Sequence, residues 1–185
     1  MACFTLTRLP MKKIWYNYED IHRAIKQLAE KIQKSEHSFD AMIAIGGGGF
    51  IPARILRSFL NIPVYTVTLS YYDVNDCPTD QPQKIQWTNG FDEKLKNKKL
   101  LIVDEVDDSR ATLEYCIREL QHEGFQHLGV AVLHEKRKPK KGVLPADLPF
   151  YSAIQVDDWW INYPWDALDI DEHYEHVAAQ ATSEA

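Results

Sequence analysis

The sequence predicts an α/β fold, a mostly parallel central sheet flanked by helices, and three observations point to it. First, "AMIAI" (residues 41–45), "LLIVD" (100–104) and "LGVAVLH" (128–134) are continuous apolar runs of strand length, the pattern of strands covered on both faces. Second, segments with apolar residues at helical spacing alternate with these runs, and such alternation builds parallel sheets. Third, 185 residues are enough to bury a core around one such sheet, so residues 13–185 read as a single domain.

The elements follow in order. The first ten residues, "MACFTLTRLP", precede a second methionine, and residues 1–12 read as a disordered extension or a misplaced start with no assigned function. Ile21, Ala24, Ile25, Leu28, Ala29 and Ile32 fall on one helical face and predict an amphipathic helix from Tyr18 to Lys34. "AMIAI" then stops at four glycines, and "ARILRSFL" (53–60) is helical, giving strand, tight loop and helix. "VYTVTLSYY" (64–72) is a strand by its β-branched and aromatic content. A helix spans Thr112 to Glu123 and closes at Gly124, a residue type favoured just past a helix end. Asp73–Lys84 and Glu135–Pro149 read as long irregular stretches.

Composition narrows the function classes. The chain is 45% hydrophobic and 26% charged with a net charge of −6, so general affinity for nucleic acid or an anionic membrane surface is not expected. Cys3, Cys77 and Cys116 have neither metal-ligand spacing nor an even framework, which fits reduced thiols in a cytoplasmic compartment. No apolar run reaches the length of a membrane span, and no signal-peptide pattern is present.

In parallel α/β sheets, ligands bind beyond the carboxyl ends of the strands. Three unusual stretches fall there. "IGGGGF" holds Gly46–Gly49, half of the chain's eight glycines, and a backbone without Cβ atoms can bring its N–H groups up to an anion; a plain tight turn is the alternative. No Walker Lys-Ser/Thr follows, and the dinucleotide spacing fails.

In the second stretch, "LLIVDEVDDSRATL" (100–113), an apolar strand runs into four carboxylates within five residues. Asp104 and Glu105 would end the strand, while Asp108, Ser109 and Thr112 would open the next helix, whose N-terminal amides and hydroxyls suit a monophosphate. The paired carboxylates would accept hydrogen bonds from vicinal hydroxyls with Mg2+ close by, and a ribose 5-phosphate fits both halves. The alternative is an ordinary N-cap followed by a solvated turn. The third stretch is "HEKRKPKK" followed by "DDWWINYPWD". Five of the six residues 136–141 are basic and no Lys or Arg follows, which by itself describes a solvated basic loop.

Taken together, these stretches resemble type I phosphoribosyltransferases. "LLIVDEVDDSRATL" is similar to their phosphoribosyl pyrophosphate (PRPP) motif, in which four apolar residues, two acidic residues and two spacers precede Asp-Thr-Gly-x-Thr. "AIGGGGFIPARIL" resembles their pyrophosphate loop, "LSYYD" the start of a mobile active-site loop, and "WWINYPWD" a purine-binding segment. Within the family the resemblance is to the purine salvage branch, which includes fungal hypoxanthine and bacterial xanthine-guanine phosphoribosyltransferases.

The resemblance implies a core of about residues 13–134 with a small C-terminal hood at about 135–170. It also implies transfer of the 5-phosphoribosyl group from PRPP to hypoxanthine, guanine or xanthine, with a non-catalytic PRPP or nucleotide sensor as the alternative. Asp104 and Glu105 would hold the ribose and, through PRPP and water, Mg2+. Asp108 would approach N7 of the purine and act as general base, and Asp108, Ser109, Arg110, Ala111 and Thr112 would wrap the 5-phosphate. Gly47 and Gly48, joined by a cis peptide, would bind pyrophosphate with help from Arg54. Lys136 or Lys138 would donate to O6, Trp160 would stack on the base, and Ile161 and Asp166 would complete the base site. Trp159 or Trp165 would be core. Tyr71 and Tyr72 would begin a lid reaching Lys84, and the protein would form a homo-oligomer, a dimer or tetramer. Two departures stand out: Gly47 replaces a common Lys or Arg, and Ser109-Arg110 replaces Thr-Gly.

Overall fold

A computed structural model describes residues 12–72, 78–88, 91 and 93–183. Strand β1 (Lys13–Trp15) leads to helix α1 (Tyr18–Lys34), whose first turn is closed by a capping box between Asn17 and Asp20. Strand β2 (Ala41–Gly46) is fully buried and feeds α2 (Phe50–Leu60), which ends at Asn61 in the left-handed conformation. Strands β3 (Val64–Tyr72) and β4 (Pro78–Gln86) follow, then β5 (Lys99–Asp107) and α3 (Ala111–His122). The remaining elements are β6 (His127–Lys136), β7 (Phe150–Val156), β8 (Trp160–Asn162) and α4 (Ile170–Ser183).

Six strands form the main sheet in the order β4-β3-β2-β5-β6-β7, parallel throughout except for the antiparallel β3–β4 edge pair. Successive side chains along a strand face opposite ways, and the core divides accordingly. Met42, Ala44, Leu101 and Val103 pack with α1 and α2, while Ala41, Ile43, Ile45, Leu100 and Ile102 pack with α3. Helix α2 leaves β2 toward β3, whereas α3 leaves β5 toward β6 on the other face. The connections therefore diverge between β2 and β5, and a crevice opens at their carboxyl ends, the general ligand position of such sheets.

Three expectations need correction. Asp104 and Glu105 do not end a strand: β5 runs on to Asp107 because β6 continues beside it, with Val106 opposite His134 and Asp107 opposite Glu135. Helix α3 starts only at Ala111, so Asp108 and Ser109 lie in the connection before it. Residues 78–84, expected within an irregular lid, belong to β4 and pair with β3, and residues 73–77 of that segment lie outside the described residues. The hairpin is tied to α3, since Lys84 Nζ lies 2.9 Å from Glu119 and Trp87 Nε1 donates to Glu123 at 2.5 Å.

A small cap sits over the carboxyl end of the sheet. In it β8 pairs in parallel with β1, Ile161 opposite Ile14, so both ends of the chain contribute. Helix α4 is held to β1 where Trp15 N donates to Gln180 Oε1 at 3.0 Å and the Trp15 ring stacks on His176 at 4.8 Å.

Candidate active site

The crevice between β2 and β5 opens into a cavity of about 480 Å3 lined by Ile45–Gly48, Leu69, Ser70, Asp104–Val106, Asp108–Arg110, Thr112 and Leu113. The glycine loop forms one wall. Its cis peptide joins Gly46 to Gly47, one position before the expected Gly47–Gly48 bond. A Cβ on Gly47 would meet nothing within 4 Å, so a lysine or arginine would fit there. A Cβ on Gly49 would strike the carbonyl oxygens of Ile45 and Val103, so the start of α2 can approach the sheet only with glycine at that point. Arg54, expected at the pyrophosphate site, instead donates to Ser58 Oγ at 3.1 Å along the exposed side of α2 and does not line the cavity.

Asp104 and Glu105 form the floor. Asp104 is 7% exposed, and its Oδ1 accepts from Glu105 N at 3.0 Å. Burial, with the Glu105 carboxylate adding to it, lifts the Asp104 carboxyl well above its ordinary range. The opposite wall is the 108–112 turn. Arg110 occupies its left-handed position at φ 69°, which costs a residue with a Cβ about 1–2 kcal/mol. The Arg110 carbonyl accepts from Glu114 N at 2.9 Å. Ahead of that first helical bond, the N–H groups of Ala111, Thr112 and Leu113 have no acceptor within the helix.

A second cavity of about 210 Å3 adjoins the first and shares Glu105, Val106 and Asp108 with it. Its other walls are Lys136, Trp160, Ile161, Tyr163 and Asp166. Trp160 leaves an indole face in solvent, at 56% exposed, while Lys136 is buried at 7%. Lys136 Nζ lies 3.5 Å from Asp108 Oδ1 and 3.6 Å from Asp158 Oδ1. Lys138 is bound more tightly to the same carboxylates, at 2.5 and 2.8 Å, but does not line the cavity. Burial works against the Lys138 ammonium, yet Asp108 and Asp158 outweigh it and hold its pKa above the ordinary lysine value. The hydrogen bond from Lys138 holds Asp158 below the usual carboxylate range. Burial and then the nearby Glu105 charge raise Asp166.

The basic run is therefore not a freely solvated loop: Arg137 pairs with Asp157 at 2.8 Å, and Lys136, Lys138 and Lys140 all meet carboxylates. Of the two candidate core tryptophans, Trp165 stacks flat on Tyr163 at 4.4 Å, whereas Trp159 lies under Lys12 at 3.9 Å, outside the main core. Tyr71 and Tyr72 end β3.

One lining residue, Tyr163, had no signal of its own. Tyr163 Oη donates to the Glu105 carbonyl at 3.2 Å and lies 2.8 Å from His134 Nδ1. With its proton given to the carbonyl, the hydroxyl accepts from Nδ1–H, and Nε2 is buried with no hydrogen-bond partner among the described residues. Burial pushes the His134 pKa down to about 3. Asp107, one of the four clustered carboxylates, points away from the ligand cavities into a pair of cations, Arg110 and Lys140.

An apolar strand delivering two carboxylates, a glycine loop and a helix-opening turn thus surround one crevice, with an aromatic and cationic annex beside it. The chain belongs to the phosphoribosyl transferase domain family, whose model matches residues 15–166. It is 42% identical to the hypoxanthine-guanine phosphoribosyltransferase of Schizosaccharomyces pombe across 90% of this chain and 95% of that protein. It is 37% identical to xanthine phosphoribosyltransferase 1 of Saccharomyces cerevisiae, covering 91% of this chain and 97% of the relative. Among solved structures, a Neisseria gonorrhoeae protein with bound ppGpp superposes with a TM-score of 0.87 at 56% identity, over 94% of this chain and 99% of that one.

Proposed function

We propose that this protein transfers the 5-phosphoribosyl group from PRPP to a 6-oxopurine, giving the nucleoside monophosphate and pyrophosphate. The observation that carries the reading is that the two cavities meet at Glu105, Val106 and Asp108. A ribose 5-phosphate in the larger and a base in the smaller would bring the anomeric carbon and a purine ring nitrogen together there. Relatives named as transferases support catalysis over a purely sensing role.

Each side chain has a part in this scheme. The 108–112 turn takes the 5-phosphate on its amides and hydroxyls. Glu105 and Asp104 accept from the ribose hydroxyls and set negative charge beside a carbon that becomes cationic as pyrophosphate departs. Asp108, at the junction, accepts the imidazole proton as general base. Lys136, buried and lining the base cavity, donates to O6, a role for which its place in that wall favours it over Lys138. Trp160 stacks on the purine and backbone near Ile161 reads its 2-position.

Two adjacent hard-oxygen donors suit a Mg2+ that keeps most of its ligands from PRPP and water. Among the described residues, no group of three or more His, Cys, Asp or Glu side chains could hold a metal alone. When bound, the ion neutralises the leaving pyrophosphate. No helix among the described residues is long and apolar enough to cross a membrane. A cytoplasmic location is part of the same proposal. A dimer or tetramer is part of the same reading.

The ppGpp bound to the Neisseria relative supports a nucleotide effector here as well. Its guanine carries the 6-oxo group and its sugar carries diphosphates, so it would compete with PRPP for the same walls. The test is pyrophosphate release from PRPP and Mg2+ with a purine panel. Hypoxanthine, guanine or xanthine should release it, adenine should be at least about tenfold poorer because its amino group offers donors to a donor, and ppGpp should raise KM for PRPP. Absence of release with every purine would overturn the reading.

A further inference from the structure

The Arg110 side chain turns away from the cavity. Its Nε and Nη2 donate to Asp107 Oδ2 at 3.0 and 2.6 Å, Nη2 lies 3.4 Å from Glu135 Oε1, and the guanidinium covers the Phe150 ring at 5.1 Å. Asp107 is 1% exposed. From the other side Lys140 Nζ reaches the same Oδ2 at 3.2 Å and donates to the carbonyls of Asp107 and Asp108 at 2.7 and 3.1 Å. The N–H groups of Lys141 and Gly142 donate to the Ser109 carbonyl at 2.9 and 3.1 Å. Gly142 is a steric requirement, since a Cβ there would overlap the Arg110 carbonyl.

Three successive carbonyls of the turn, those of Asp107, Asp108 and Ser109, are thus bound by one segment, residues 140–142. In a trans peptide the C=O and the following N–H point in opposite directions. Holding these carbonyls against the 140–142 segment directs the N–H groups of Asp108, Ser109 and Arg110 the other way, toward the cavity those residues line.

We propose that Arg110 is a positioning residue. Its side chain does not contact the phosphate; anchored on Asp107, it keeps the left-handed turn formed, and Lys140–Gly142 clamp the turn from outside, so that the loop amides are aimed before PRPP arrives. The clamp segment lies just beyond Lys136, the last residue of β6, and Lys138 in the connection after it, which joins the phosphate side of the site to its base side. The inference rests on reading residues 108–112 as the phosphate loop.

Arg110→Gly, Arg110→Ala and Lys140→Met test it. Alanine loses the anchor and keeps the unfavourable Cβ, whereas glycine loses the anchor but adopts the turn freely. Arg110→Ala should raise KM for PRPP about tenfold or more with kcat at saturation within about threefold, and Arg110→Gly should be several-fold less impaired. Equal losses in the two variants would mean that the guanidinium binds phosphate directly, and would overturn the proposal. Amide hydrogen exchange of the free protein gives a readout that needs no substrate. Exchange at residues 108–112 should accelerate in Arg110→Ala and Lys140→Met while that of α1 stays unchanged, and unchanged exchange at 108–112 in both variants would also overturn the clamp. Failure of the wild type to bind PRPP would sink the functional reading alone, since the exchange result stands without it.

Discussion

The Glu105 carboxylate rests directly on the Cα of Gly48: a Cβ at that glycine would fall inside the carboxylate group. The glycine loop after β2 and the acidic end of β5 are therefore fitted to one another, and the Glu105 carboxylate owes its position to a missing methyl group. Gly48→Ala should swing Glu105 out and lower kcat/KM by about 100-fold, as displacement of a positioned group does. Gly47→Ala, one residue earlier in the same cavity wall, should stay within about threefold of wild type, because a Cβ there meets no described atom within 4 Å and Glu105 need not move. Steady-state kinetics of the two variants, with circular dichroism as the fold check, decides this. Equal behaviour of the two would refute the fit.

Asp104 carries the opposite cost. Burial and the Glu105 charge disfavour its ionised form, so Asp104→Asn should leave the melting temperature of the free protein unchanged or higher. With Glu105→Gln added, PRPP affinity should fall, each lost charge-assisted hydrogen bond costing about 1.5–3 kcal/mol. Calorimetry in Mg2+ and a thermal melt measure the two halves. A folded double variant with undiminished PRPP affinity would remove both residues from the ribose site.

Lys136 and Lys138 share their carboxylate partners, but of the two only Lys136 lines the smaller cavity, the proposed base site. Lys136→Met should abolish most 6-oxopurine turnover and narrow the preference over adenine, since a donor to O6 discriminates by hundreds-fold or more, on the order of 10⁴ at best. Lys138→Met should retain the preference while weakening turnover through a less firmly held Asp108. The ratio of kcat/KM for hypoxanthine and adenine is the measurement, and a larger loss of preference in Lys138→Met would reverse the assignment.

His134 predicts a pH dependence of stability. It is neutral in the folded protein down to about pH 3, against an ordinary value of 6.5. Below pH 6.5 the unfolded chain takes up a proton that the folded chain refuses, so stability falls as pH drops, by up to about 1.4 kcal/mol per unit until pH 3. His134→Gln removes this term and should show a shallower decline between pH 6.5 and 4 in denaturant titrations. Parallel slopes for the two proteins would show that His134 is not held neutral.

How much of this was legible follows from which forces act locally. Helix α1 and strand β3 have the bounds their residues predict, because a complete apolar face, and a run rich in β-branched and aromatic residues, need no distant partner to be recognised. The end of β5 was misread because clustered carboxylates ordinarily mark a turn; here β6 runs alongside and keeps the strand going. "PTDQPQKIQ" conceals β4, since an edge strand with one neighbour tolerates proline and polar residues that a central strand would reject. In the site, Asp104, Glu105, Asp108, Lys136, Trp160, Ile161 and Asp166 do converge on adjoining cavities. Arg54 does not, because the choice of helix face at that position was open. Asp107 and Lys140 lie 33 residues apart, and their pairing exists only once β6 and the loop after it have folded back on the turn.

The pairing of β1 with β8 gives the two halves of the site different histories during synthesis. Every residue that lines the larger cavity, and the 140–142 segment that holds its turn, lies before residue 143, and that part of the crevice can assemble on a chain still emerging from the ribosome. The smaller cavity cannot: Trp160 and Ile161 take their register from Lys13 and Ile14, and that strand is in turn gripped by α4 through Trp15. A chain interrupted shortly before residue 160 would keep the walls of the larger cavity and lack Trp160, Ile161, Tyr163 and Asp166 of the smaller one, which therefore closes only on a chain that runs through the cap.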